Sequence, residues 1–267
     1  MNGLALCSGI GGIDLGLRLA LGQSYRTVCH VEREAYAAAC LVARMEDQAL
    51  DATPIWDDLL TFDGRPWRGV VDIVTAGFPC QPWSQSGRRL GLEDERWIWP
   101  DISRVIGEIS PGVVLLENVP GLVRFGLREV LSDLASLGFN AEWDHFSACE
   151  MGATHTRERV FILAHSNGKH GSAWLRHTLE QQDGALQPGY GAEGAGACSD
   201  PWLEDPSGLW GGADGVPDRM ERNRAVGNGA CPIHVAFAFL TLARRAGRLV
   251  GRRDVNSGPH FSLALNL

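Results

Sequence analysis

Val71-Asp72-Ile73-Val74-Thr75-Ala76-Gly77-Phe78-Pro79-Cys80-Gln81-Pro82-Trp83-Ser84 is the stretch on which the fold turns. Its first six residues, apolar apart from Asp72 and Thr75 and rich in β-branched side chains, predict a short buried strand. Gly77 breaks that strand, and Pro79 and Pro82 then flank Cys80 and Gln81. Loops at the carboxyl ends of strands carry the chemistry of open α/β sheets, so Cys80 is a candidate nucleophile. Val113-Val114-Leu115-Leu116 predicts a second strand, running into Glu117-Asn118-Val119-Pro120. A candidate acid thus stands at another strand end of what the pattern makes one sheet. Such an acid is partly desolvated, which raises its pKa and suits it to donate a proton.

On either side the same rhythm continues. Leu4-Ala5-Leu6 predicts a strand, followed by a glycine turn and an amphipathic helix from Ile13 to Leu21. Thr27 to Val31 predicts the next strand, followed by a helix from Arg33 to Met45. Further helices are expected over Asp101–Ile109 and, from the spacing of Leu127, Val130, Leu131, Leu134 and Leu137, over that span. Val160 to Ala164 predicts another strand. Alternating strands and helices imply an α/β fold, a doubly wound, mostly parallel sheet with helices on both faces. From about 166 to 222 the rhythm gives way to Gly, Ala, Asp and Pro with scattered Trp174, Trp202 and Trp210, an irregular insert. An apolar helix resumes from about Ile233 to Leu242, and the tail beyond Gly251 is polar.

With 267 residues the chain can bury one substantial core. No signal-peptide pattern opens it and no apolar run approaches a bilayer-spanning length, so a cytoplasmic protein is expected. Seven cysteines, an odd number without a CxxC pair, disfavour a disulfide scaffold and a zinc site; no metal is expected. Apart from Cys80 and Cys7 they read as ordinary buried thiols. The formal charge of −8 lowers the prior for non-specific nucleic-acid binding. It leaves room for a localised basic cleft, because net charge is a sum over the whole molecule.

Three further constellations carry chemistry. Cys7-Ser8-Gly9-Ile10-Gly11-Gly12 joins the first strand to the first helix, where glycines admit a ligand to the backbone and to unpaired helix N–H groups. Asp14 occupies the third glycine position of a dinucleotide fingerprint, which argues against pyrophosphate binding. Glu32, ending the second strand, stands where a carboxylate takes ribose hydroxyls, and Asp58 can accept from an adenine amino group. Thr154-His155-Thr156-Arg157-Glu158-Arg159 places two arginines at alternate positions of an extended segment, hence on one face. There they can hold a carboxylate, a phosphate or a base oxygen, or merely form a charged surface. Gly227-Asn228-Gly229-Ala230 reads locally as a turn before the last helix.

Together and in this order, these motifs resemble those of the cytosine-C5 DNA methyltransferases, over about residues 3–165 and 217–245. Phe78-Pro79-Cys80-Gln81 is similar to the family's nucleophile motif, Glu117-Asn118-Val119 to its acid motif, and Arg157-Glu158-Arg159 to its two-arginine motif. The resemblance implies a sheet of the class I S-adenosylmethionine methyltransferase type, with a catalytic domain over 1–165. A small target recognition domain is expected over 166–222, and a segment, 223–267, returning to the catalytic domain. It implies S-adenosylmethionine as methyl donor, with S-adenosylhomocysteine as product. The cofactor loop would be Cys7, Ser8, Gly9, Ile10, Gly11 and Gly12, joined by Glu32 and Arg33, Asp58 and Leu59, Pro79, Ile98, and Asn228 with Ala230. Catalysis would rest on Cys80, Glu117, Arg157 and Arg159 acting on a cytosine flipped from double-stranded DNA. Gln81, Ser84, Arg88 and Arg89, with Lys169 and Arg176 of the insert, would contact DNA, the protein acting as a monomer. The chain departs from the family at Cys7, where a phenylalanine is usual, at His155, where glutamine is common, and at Gly229-Ala230, where bulkier residues are usual. The same scaffold also serves tRNA cytosine-C5 methylation and catalytically silent DNA binding, the two rival readings.

Overall fold

The computed structural model describes residues 1–79, 97–151, 157–167 and 229–253. Seven strands form one sheet: β1 (Asn2–Leu6), β2 (Arg26–Val31), β3 (Ile55–Trp56), β4 (Ile73–Gly77), β5 (Val113–Asn118), β6 (Phe139–Ser147) and β7 (Glu158–Ser166). Their order is β3-β2-β1-β4-β5-β7-β6. The first five run parallel, whereas β7 is antiparallel to both β5 and β6. The doubly wound, mostly parallel sheet expected from the sequence is therefore present, with one reversed strand near one edge. The helices are α1 (Gly12–Leu21), α2 (Ala35–Glu46), α3 (Trp99–Ile109), α4 (Gly121–Phe125), α5 (Leu127–Ser136) and α6 (Pro232–Arg253).

Strand alternation divides the core into two apolar layers. Leu4, Leu6, Val74, Ala76, Val114 and Leu116 face Trp99, Ile102, Val105 and Ile106 of α3 and Val130 and Leu134 of α5. Ile73, Val113 and Leu115, with Phe161 and Leu163 of β7, face Ile13 and Leu17 of α1 and Val235, Phe239 and Leu242 of α6. All six residues of β5 are buried, as a central strand covered on both faces requires. The most extensive contact between helices among the described residues is that of α1 with α6. A Cβ on Gly12 would lie 2.1 Å from the Ala230 carbonyl oxygen, and one on Gly16 would lie 2.5 Å from Val235 Cβ. Glycine at these two positions is what lets the chain at 230–235 lie against α1.

Several elements differ from expectation for identifiable reasons. Helix α3 starts two residues before Asp101, because Pro100 is compatible with a first helical turn that needs no donated N–H. It stops at Ser110, whose left-handed φ of 54° turns the chain toward β5. The helix expected from Leu127 is preceded by a separate short one, α4, with Gly126 between them. Helix α6 runs well beyond Leu242. Strands β3 and β6 were not expected: β3 has two residues, and most of β6 is only half-buried at the sheet edge, so neither gives an apolar run. Among the cysteines, Cys29 is buried, Cys40 and Cys231 are half-buried, and Cys149 is disulfide-bonded, against its reading as an ordinary thiol. No helix among the described residues is long and apolar enough to cross a membrane.

Candidate active site

The parallel strands β1, β2, β4 and β5 end at one edge of the sheet, and Ser8, Glu32 and Glu117 stand at those ends. Between β1 and α1 the chain makes a tight turn in which Cys7, Gly9 and Gly11 all have positive φ, 50°, 54° and 80°. Gly9 has open space where a Cβ would stand, while Gly11 faces Leu50 at 2.7 Å. The turn is tied at several points: Ser8 N–H donates to Val31 O at 3.2 Å, and Gly11 N–H to Ser8 O at 2.9 Å. The Arg44 guanidinium donates to the Ile10 carbonyl. Glu32 is buried just beyond β2, and its two oxygens accept the N–H groups of Gly9 at 2.6 Å and Glu34 at 2.8 Å. Burial, with the Glu32 carboxylate beside it, pushes the Cys7 thiol up to about 12, so it stays neutral near pH 7.

Of the other expected cofactor residues, all but Asn228 are among the described residues. Asp58 follows β3, where its Oδ1 accepts the Leu60 N–H at 3.0 Å. Leu59 is buried, Ile98 is half-buried before α3, and Ala230 lies against Gly12. Arg33 and Pro79 are exposed. Asn228 lies outside the described residues.

Glu117 is the next-to-last residue of β5, paired with Gly77 of β4, and is buried. A Cβ on Gly77 would lie 3.2 Å from Ile13 Cδ1, 3.6 Å from Glu117 Oε2 and 4.0 Å from Cys7 O. The glycine turn and the glutamate are therefore neighbours across a residue that lacks a side chain. Arg159, on β7, brings its Nε to 2.9 Å from Glu117 Oε1. Its N–H is not aimed at that oxygen, which has no aligned hydrogen bond among the described residues. Burial raises the Glu117 pKa and outweighs the opposing pull of Arg159 and then Arg157. Arg157 donates to Gly229 O at 2.7 Å, joining the arginine segment to the chain before α6. The alternation of Arg157 and Arg159 thus brings both charges within reach of Glu117, as the pattern suggests.

Cys80, Gln81, Ser84, Arg88, Arg89, His155, Lys169 and Arg176 lie outside the described residues. The chain on either side of 80–96 is well anchored. Phe78 is buried, with its ring 6.0 Å from Trp97 and 5.8 Å from Trp99. Asn118 Nδ2 donates to Phe78 O at 3.1 Å, while its Oδ1 accepts the Val119 N–H at 2.8 Å. Asn118 was quoted in the sequence without a role; here it ties the end of β5 to the residue two before Cys80. Its position directly after the strand-ending glutamate is the only sequence signal for that tie.

Residues 1–190 match the family model for C-5 cytosine-specific DNA methylase. The chain belongs to that family. Among curated relatives it is 33% identical over 168 residues to type II methyltransferase M.NgoMIV of Neisseria gonorrhoeae, covering 61% of this chain and 51% of that protein. It is 35% identical over 164 residues to M.PspPI of a Psychrobacter species, covering 59% and 38%. The match thus spans about half the length of such relatives, or less. Crystal structures of S. pombe Dnmt2 and of a Spodoptera frugiperda DNMT2 mutant superpose with TM-scores of 0.51, at 24% and 21% identity. They cover 63% of this chain and 52% and 50% of those chains, and share its fold.

Proposed function

We propose that this chain is a DNA (cytosine-5-)-methyltransferase that uses S-adenosylmethionine to methylate C5 of a flipped cytosine in duplex DNA. The observation that carries this reading is the placement of buried Glu117, with Arg159 at 2.9 Å, one side-chainless residue away from the glycine turn. The turn fits a nucleoside-bearing cofactor. It leaves open space at Gly9, sets an acid at the end of β2 where ribose hydroxyls bind, and adjoins the amino end of α1. When bound there, S-adenosylmethionine supplies an electrophilic methyl group on a sulfonium. Ser8 to Gly12, Glu32 and Asp58 would hold it, with Leu59, Ile98, Asn228 and Ala230 completing the walls.

Cytosine C5 is a poor nucleophile until something adds at C6. Cys80, as thiolate, would form that C6–S bond and turn the ring into an enamine whose C5 takes the methyl group. Solvent water would then take the C5 proton as β-elimination breaks the C–S bond and returns the thiolate, and the N3 proton would go back to Glu117. The chain's part in this is to place charge and protons. Glu117, whose burial favours the protonated carboxyl, would give a proton toward ring N3 and accept from the amino group through its carboxyl, with Arg159 beside Oε1. Arg159 and Arg157 keep that carboxyl compensated once the proton has left. The base must leave the helix, because neither face of a stacked ring is open to both a thiol and a sulfonium. Gln81, Ser84, Arg88 and Arg89, with Lys169 and Arg176 of a target recognition insert over 166–222, would supply local contacts to DNA despite the acidic net charge.

Covalent trapping tests this reading. Duplex DNA carrying 5-fluorocytosine cannot lose a C5 proton, so with S-adenosylmethionine the protein should accumulate as a DNA adduct mapping to Cys80. Absence of an adduct on DNA, with cofactor bound, would remove the proposal. An adduct only on fluorinated tRNA would move the activity to RNA.

A further inference from the structure

Beneath the glycine turn lies a buried polar cluster that the proposed chemistry does not use. His30 and Glu32 are two residues apart and reach the same side of the sheet edge, and each grips one of two successive residues of the turn. Glu32 Oε2 accepts the Gly9 N–H at 2.6 Å, and His30 Nδ1 lies 3.1 Å from Ser8 Oγ. Ser8 Oγ itself donates to Ala5 O at 2.9 Å. With its one proton so engaged, the hydroxyl accepts from His30 Nδ1–H, which fixes the imidazole tautomer. His30 is fully buried, and its Nε2 has no partner among the described residues, so a second ring proton there would have no acceptor. Burial accordingly lowers the His30 pKa, against the pull of Asp14, Asp51 and Glu32.

Asp14, in the first turn of α1, backs this arrangement. Its Oδ1 accepts the Tyr25 hydroxyl at 2.8 Å and the Thr27 hydroxyl at 2.9 Å. Its Oδ2 has no hydrogen-bond partner among the described residues and lies 4.0 Å from His30 Nδ1, close enough to hold the Nδ1–H dipole without a direct hydrogen bond. The turn above needs holding. Cys7 and Gly9, on either side of Ser8, both sit in the left-handed region, which is unfavourable for Cys7. Only outside contacts keep such a backbone in one conformation.

We propose that His30, backed by Asp14, is a positioning residue that locks Ser8 and so presents the glycine turn in its cofactor-binding form. This inference rests on the reading of that turn as the S-adenosylmethionine site. The turn's conformation is set before the cofactor arrives, so the ordering cost is met in folding rather than in binding.

Three variants test it: His30→Leu, which removes the donor, His30→Asn, whose Nδ2–H stands where Nδ1–H was, and Ser8→Ala, which removes the acceptor. Hydrogen exchange of the Gly9 amide is read on the cofactor-free protein, and S-adenosylmethionine binding and turnover are measured alongside. His30→Leu should speed Gly9 exchange and raise the cofactor dissociation constant roughly tenfold, the size of one lost buried hydrogen bond. Turnover at saturating cofactor should change much less than KM. His30→Asn should recover most of the loss, and the His30→Leu/Ser8→Ala pair should be no worse than either single variant. Gly9 exchange and cofactor affinity unchanged in a folded His30→Leu protein, or additive losses in the pair, would overturn the proposal. If His30→Leu does not fold, Ser8→Ala is read by Gly9 exchange on the cofactor-free protein alone, since Ser8 also belongs to the proposed cofactor turn, and unchanged exchange would overturn the proposal. A wild-type protein that binds no S-adenosylmethionine would instead defeat the cofactor reading, and Gly9 exchange would still decide whether His30 holds the turn.

Discussion

The ends of β2 and β5 each carry a buried glutamate, and the chain holds the two in opposite ways. Glu32 is met by backbone N–H groups on both oxygens, from Gly9 and Glu34. Glu117 is met by the Arg159 guanidinium 2.9 Å away, with the Arg157 charge also acting on it, and its burial outweighs both and raises its pKa. Donors aimed at a carboxylate make it an acceptor; desolvation with imperfect compensation makes it a proton donor. Under the proposed function, two identical side chains at equivalent ends of one sheet would take different tasks, one toward hydroxyls and the other toward a ring nitrogen.

The strongest way to break this contrast is Glu117→Gln. The amide keeps the shape but cannot give up a proton. Turnover should fall by about two to four orders of magnitude, the range of a lost general acid, with cofactor affinity nearly unchanged. Loss of affinity with turnover retained would reverse the assignment. Glu32→Ala should do the opposite. Calorimetry should show S-adenosylmethionine binding weakened by about 10- to 100-fold, as for lost charge-assisted hydrogen bonds, with turnover at saturation largely kept.

Smaller effects sharpen the picture of the turn itself. Gly12→Ala would drive a Cβ to 2.1 Å from the Ala230 carbonyl, a backbone atom that cannot rotate away. Chemical denaturation should show a loss of about 2 kcal/mol or more. Gly9→Ala meets no atom within 4 Å and is opposed only by its φ of 54°, so about 1 kcal/mol is expected. Equal losses at the two positions would mean that the α1–α6 contact is looser than it looks.

The smallest effect is on pH. Between the ordinary carboxyl pKa and the raised value of Glu117, the native state binds more protons than the unfolded one. Its contribution to stability is therefore full below the ordinary value and is lost as pH rises through the raised one. Thermal unfolding of the wild type should decline over that window, and Glu117→Gln should flatten the decline. A steeper decline in the variant would contradict the raised pKa.

Much of this contrast was legible in the sequence. The β-branched runs before Gly77 and Glu117 define β4 and β5 because central strands buried on both faces must be apolar throughout. Glu32 and Glu117 stand out as acids terminating such runs. Arg157 and Arg159 share a face because strands alternate. The edge strands β3 and β6 were illegible, since one is two residues long and the other only partly buried, so neither needs an apolar pattern. The cluster of Asp14, Tyr25, Thr27 and His30 was equally hidden. Tyr25, Thr27 and His30 lie close together at β2, but only the packing of α1 on the sheet brings Asp14 to them. The glycines at 12 and 16 were visible as residues, but the segment they admit lies more than two hundred residues later.

The most direct measurement of the central claim is transfer of tritiated methyl groups from S-adenosylmethionine to mixed-sequence duplex DNA, followed by bisulfite sequencing. Label on cytosines in one short recurring sequence is the result predicted for a DNA cytosine-C5 methyltransferase. Folded protein that binds the cofactor yet leaves duplex DNA unlabelled, or labels only RNA, would contradict it.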